Sequence, residues 1–144
     1  MAYNAAASRE LHLVLLKDEE NLYEVKRLVE EEGADPNWRP GEGYPTNTGR
    51  AAWKGFVRSL RFLARRGGDV NIQAWGGDNT LHEACYYNHP AAACVVVAFG
   101  GDTTAKSVSG RVCGCWVGCW GPPFPRRLGR EGLFPRRGGF IINL

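Results

Sequence analysis

The sequence predicts an all-α fold in which helix pairs stack as a solenoid, and three observations predict it. The first is a repeat of about 33 residues, which lays Gly67-Gly68-Asp69-Val70-Asn71 on Gly100-Gly101-Asp102-Thr103-Thr104, Ala51-Ala52 on Ala84-Cys85 and Thr46 on Asn79. Gly33-Ala34-Asp35-Pro36-Asn37 is a third copy, one period and a single extra position before Gly67. The second is a run of apolar residues at helical spacing ahead of each copy. The third is the glycine that closes each run, a residue that takes the left-handed conformation past a helix end without steric cost. A fixed period in this range marks units that bury their apolar faces only against one another.

Taken in order, Leu22, Val25, Leu28 and Val29 alternate with acidic and basic residues and describe a helix with one apolar face, stopped at Gly33. Phe56, Val57, Leu60 and Leu63 form the corresponding face in the second unit, with Arg58, Arg61, Arg65 and Arg66 on the others and Gly67 at the end. In the third unit Val95 to Val97 and Phe99 are too apolar for a helix exposed on any broad side, and Gly100 closes them. Asp69-Val70-Asn71 followed by Gly76-Gly77-Asp78 supplies the residues for a short β-hairpin-like loop between helix pairs.

The segment Asn79-Thr80-Leu81-His82-Glu83-Ala84-Cys85 resembles the Thr-Pro-Leu-His-x-Ala-Ala signature of ankyrin repeats. The resemblance covers residues 8–109 as three units, approximately 8–43, 44–76 and 77–109. The third matches best, through Leu81, His82, Ala84, His89 and the Gly100-Gly101-Asp102 turn. In the second, Asn47, Thr48 and Gly49 replace the Pro, Leu and His of the signature, whereas Ala51, Ala52, Gly55, Leu63 and the Gly67 to Asn71 turn keep register. In the first, Leu11-His12 resembles the end of the signature, but His12 to Gly33 is three residues longer than His82 to Gly100, which implies an altered first helix.

The resemblance implies a non-catalytic protein-protein interaction module, since ankyrin arrays bind partners through a concave surface of hairpin tips and first helices. By register, that surface holds Glu42, Trp53 and Lys54 in the second unit and Trp75, Asp78, Tyr86 and Tyr87 in the third. Its aromatic content suits an interface, because Trp and Tyr offer large contact area with few rotatable bonds. Asp78, His82 and Cys85 also have the chemistry of an acid, a base and a thiol, with His82 and Cys85 three apart. The structural explanation is the stronger one, because the signature histidine binds the turn and Cys85 replaces a buried alanine, so no catalytic residue is assigned. Leu63 with Asp69-Val70-Asn71 further resembles the pattern at which asparaginyl hydroxylase modifies ankyrin repeats; ordinary turns share it, and Asn71 is read as a turn residue.

At 144 residues the chain has room for one domain, and no stretch approaches the roughly 18 apolar residues of a membrane span. Met1 to Arg9 lacks the layout of a secretory signal. Five cysteines, two of them at helix positions, argue against a disulfide framework and for a reducing compartment, cytoplasmic or nuclear.

The net charge of +3 divides unevenly: residues 1–109 carry 12 Lys and Arg against 14 Asp and Glu, and residues 110–144 carry 6 Arg against Glu131 alone. Residues 110–144 form a second region rich in Gly, Pro, Arg and Cys, in which Phe124-Pro125-Arg126-Arg127 recurs as Phe134-Pro135-Arg136-Arg137, and its composition predicts disorder. Pro122, Pro125 and Arg127 resemble a Pro-x-x-Pro-x-Arg ligand of SH3 domains. Cys113, Cys115 and Cys119 fall one short of a closed zinc site, so no metal or cofactor is assigned. Six arginines without a fold give only unspecific attraction for nucleic acid, which is not expected as a partner. The alternative to an interaction module is a truncated or frame-changed fragment of a larger array. In either case Val95, Val96 and Phe99 at the end of the stack are expected to be partly bare, or covered by Trp116, Val117 and Trp120 or by a partner.

Overall fold

A computed structural model describes residues 2–108 and 110 of the chain. The expectations for the tail, namely its disorder, the cover from Trp116, Val117 and Trp120, the Cys113, Cys115 and Cys119 sulfurs and the Pro122, Pro125 and Arg127 ligand, lie outside the described residues.

Six α-helices occur among the described residues: α1 (Ala5–Leu16), α2 (Leu22–Glu30), α3 (Asn47–Lys54), α4 (Val57–Arg65), α5 (Thr80–Tyr86) and α6 (Pro90–Ala98). They pack in two rows. The first row is α1 on α3 on α5, the second is α2 on α4 on α6, and each odd helix packs on the even helix that follows it. The result is an all-α, repeat-like fold.

The start of each odd helix is written in polar residues. Asn4 accepts hydrogen bonds from the Ala6 and Ala7 amides, Thr46 from Gly49 at 3.1 Å and Asn79 from His82 at 3.0 Å. Each satisfies donors that the helix leaves open, a contribution of about 1 kcal/mol per cap. The ends follow the glycines. Gly67 (φ 93°) and Gly100 (φ 84°) take the left-handed conformation, and the next amide folds back onto the helix, Gly68 N–H to Leu63 C=O and Gly101 N–H to Val96 C=O, both at 2.9 Å.

Leu11, Leu15, Val25, Leu28, Leu60, Leu63, Leu81 and Val96 are sealed between the rows, with Ala51, Ala52, Ala84, Ala92 and Ala93 where helices approach most closely. The apolar faces read from α2 and α4 are therefore the ones buried, while Arg58, Arg61, Arg65 and Arg66 stay exposed.

Val95 and Val96 are buried, α6 lying against α4 and α5 and the Gly101 amide closing on Val96, while Phe99 is 37% exposed. The altered first helix that the longer spacing implied is α1, which runs for 12 residues against 8 in α3 and 7 in α5. The loops between pairs carry turns with backbone bonds such as Ala74 N–H to Asp78 C=O at 2.7 Å, around a short 3-10 turn at Trp75–Gly77.

Candidate interaction surface

Two regions of polar and aromatic residues connect successive units, and they are built in different ways. The first is a ladder of asparagines along the turns. Asn37 donates to the Gly67 carbonyl at 3.0 Å and accepts from the Asp69 amide at 2.7 Å. Asn71 repeats both bonds one unit later, to the Gly100 carbonyl at 3.1 Å and from the Asp102 amide at 2.8 Å. Asp35, Asp69 and Asp102 each accept from the amide two residues on at 2.8 Å, holding their own turns. Both asparagine side chains in the ladder thus have partners in the next unit, and Asn71 takes the turn role read for it.

A buried polar set continues this pattern inward. The Asn47 side chain, fully enclosed, donates to the Ser8 and Asp35 carbonyls at 3.1 Å each and faces His12 Nδ1 at 3.2 Å. Burial holds His12 below the ordinary histidine range, reinforced by Arg50 and opposed by the Asn47 contact. The Asn47 amide joins α1, the loop after α2 and the start of α3.

The second region is an aromatic ledge at the C-terminal ends of α3 and α5. Trp53 stacks on Tyr87 at 4.7 Å between centroids with 14° between planes, and Tyr86 meets Tyr87 edge-on at 5.0 Å. Arg50, one turn before Trp53, lays its guanidinium over the indole at 4.0 Å. Helical geometry explains the grouping, since residues three apart share a face. Tyr86 is 59% exposed and Tyr87 38%. Lys54 is anchored beside the ledge by an ion pair to Asp18 at 3.2 Å.

Charge under the ledge is poorly compensated. Arg50 is only 9% exposed, its Nε is enclosed without an acceptor, and burial depresses its basicity. Glu83 occupies the position in the third unit that Arg50 holds in the second, one full period earlier. Burial, with Asp78 adding repulsion and Arg50 opposing, pushes the Glu83 carboxyl up to about 7. Burial likewise raises Tyr87, aided by Glu83 and Tyr86. Among the described residues no carboxylate lies within ion-pair distance of Arg50.

The remaining expected residues sit at the loop tips. Trp75 is 75% exposed and covers Gly43, against which a Cβ would collide with the indole, while its amide donates to the Gly43 carbonyl at 2.7 Å. Tyr44 lies 6.0 Å from Trp75 between centroids, and Glu42 next to Gly43 is exposed. The expected residues thus fall into two groups, Trp53, Lys54, Tyr86 and Tyr87 on the ledge with Asp78 near Glu83, and Glu42 with Trp75 at the tips. Register alone missed Arg50, Glu83 and Tyr44. The signal for Arg50 was its spacing of three from Trp53.

His82 and Asn79 close a reciprocal cap, the Asn79 amide donating to His82 Nδ1 at 3.1 Å while the His82 amide donates to Asn79 Oδ1, and the Cys85 thiol is buried. Among the described residues no group of three His, Cys, Asp or Glu could hold a metal ion, and no helix is long and apolar enough to cross a membrane.

Compared with known proteins, the chain matches no family model and has no significant match among curated proteins.

Proposed function

We propose that this chain is an ankyrin-like, non-catalytic interaction module that binds a protein partner across Trp53, Lys54, Tyr86 and Tyr87, with Glu42, Trp75 and Asp78 extending the contact. One observation carries this reading: half-buried Trp53 at the end of α3 stacks on Tyr87, and Tyr86 and Tyr87 at the end of α5 remain exposed, while the aliphatic residues of the same two helices are sealed. Rigid aromatic surface beside a cation is the composition of an interface anchor. The fixed sequence period, the two rows of helices and the Asn79–His82 cap support the ankyrin likeness. Cysteines at helix positions, Cys85 buried and Cys94 half-buried, fit a cytoplasmic or nuclear setting.

The test is partner capture from lysate by the intact chain beside a variant with Trp53, Trp75, Tyr86 and Tyr87 all changed to alanine, with the helical content of both checked by circular dichroism. Loss of the captured proteins with helicity retained is expected. Capture unchanged by the four substitutions would remove this surface from consideration.

A further inference from the structure

The aromatic ledge contains a cation that the protein itself does not neutralise. Arg50 is more than nine-tenths buried, yet no carboxylate among the described residues approaches it within ion-pair distance, and its Nε–H is enclosed without an acceptor. Buried charges are ordinarily paired, and a buried donor left without an acceptor costs stability. Of the guanidinium nitrogens, Nε is the one that is both sealed and unsatisfied, and the group lies over the Trp53 ring that stacks on Tyr87. The planar fork of a guanidinium matches a carboxylate in two parallel hydrogen bonds.

We infer that the ledge takes a carboxylate from an acidic peptide segment of the partner, Arg50 pairing with the carboxylate while the neighbouring partner residues lie on Trp53, Tyr86 and Tyr87. This rests on the reading of the ledge as a protein-binding surface and names the chemistry it selects. The surroundings set the number of charges. Glu83 is held toward its neutral form and Asp78 adds repulsion nearby, so a single carboxylate charge balances Arg50, whereas a doubly charged phosphate would meet stronger repulsion. Trp53 orients the fork by holding its carbon over the ring at 4.0 Å, which leaves the edge of the guanidinium for the ligand.

The test selects random twelve-residue peptides displayed on phage against the intact chain, then measures synthetic copies of the enriched peptides by fluorescence polarisation. The expected result is a fixed Asp or Glu in the enriched peptides. Its change to Asn or Gln should weaken binding at least tenfold, with a similar loss for Arg50→Met and no further loss when both changes are combined. The peptide-side change reads the contact even where Arg50→Met disturbs the fold. Peptides that need Tyr86, by Tyr86→Ala, but ignore both the acid-to-amide change and Arg50→Met would overturn the carboxylate inference and leave the surface in place. Preference for phosphoserine over aspartate at that position would overturn the single-charge argument. Peptides indifferent to Tyr86→Ala, or no enrichment at all, would overturn the inference together with the surface on which it rests.

Discussion

The asparagine ladder and the aromatic ledge both span successive units, yet one is closed on itself and the other is open. In the ladder, Asn37 and Asn71 each satisfy a carbonyl and an amide of the next turn, and the aspartates two residues before them tie the loop. In the ledge, Arg50 has no acceptor for its enclosed Nε, Glu83 is driven toward its neutral form, and three aromatic rings contact one another at a partly open surface. Satisfied polar groups define a single geometry and stabilise it. Unsatisfied ones cost stability. The comparison fits the division of labour that the proposed function implies, in which the turns hold units in register and the ends of α3 and α5 take a partner.

Substitutions can break or sharpen that division, and the largest effect belongs to the turns. A Cβ on Gly68 would overlap the Thr48 hydroxyl and sit 2.8 Å from the Leu63 carbonyl. Gly68→Ala should therefore cost about 2–4 kcal/mol, read as a lowered urea midpoint. The neighbouring Gly67 has open space around its missing side chain but a φ of 93°, so Gly67→Ala should cost only about 1–2 kcal/mol. Equal losses at the two positions would mean that steric contact in the turn is not what sets the unit spacing.

Next comes the ionisable group beneath the ledge. The folded state holds the Glu83 proton up to about 7 against an ordinary value of 4.5, so folding takes up a proton between those values. Stability contributed by neutral Glu83 is present at acid pH and falls as pH rises through that window. Glu83→Gln should raise stability by about 1–3 kcal/mol at pH 8 and change it little at pH 4. A stability difference that does not depend on pH would show that Glu83 titrates normally.

A somewhat smaller effect is expected for the ladder itself. Asn71→Ala removes one accepted and one donated hydrogen bond at an exposed turn and should cost about 1–2 kcal/mol. Smallest of all is the ledge as a contributor to stability: Tyr86→Ala should shift it by less than about 0.5 kcal/mol, because that ring is mostly in water.

Much of the framework was legible in the sequence because its determinants are local. Leu22, Val25, Leu28 and Val29 needed only helical spacing, and Gly67 and Gly100 only their place after an apolar run, to mark α2 and the ends of α4 and α6. Trp75, Tyr86 and Tyr87 were readable as surface candidates from register. What was not legible depends on contacts far apart in the chain. Val95 and Val96 are buried by packing of α6 on α4 and α5, which no period within α6 encodes. Arg50 reads as a solvated cation until Trp53 and Tyr87 enclose it, and Glu83 as an ordinary surface acid until Arg50 and Asp78 are placed beside it. The start of α1 at Ala5 rests on the Asn4 cap and on the Asn4 amide reaching the Gly33 carbonyl at 2.9 Å, a contact between residues far apart in the chain.

The division of labour is tested most directly by measuring two quantities in the same pair of variants: the unfolding midpoint, and affinity for a peptide enriched on the intact chain. The account predicts a crossed result, in which Tyr86→Ala loses binding at least tenfold with its midpoint unchanged, and Asn71→Ala lowers the midpoint while binding normally at temperatures where it is folded. Binding and stability falling together in both variants would contradict it, since ledge and ladder would then be one structural unit with no surface set aside for a partner.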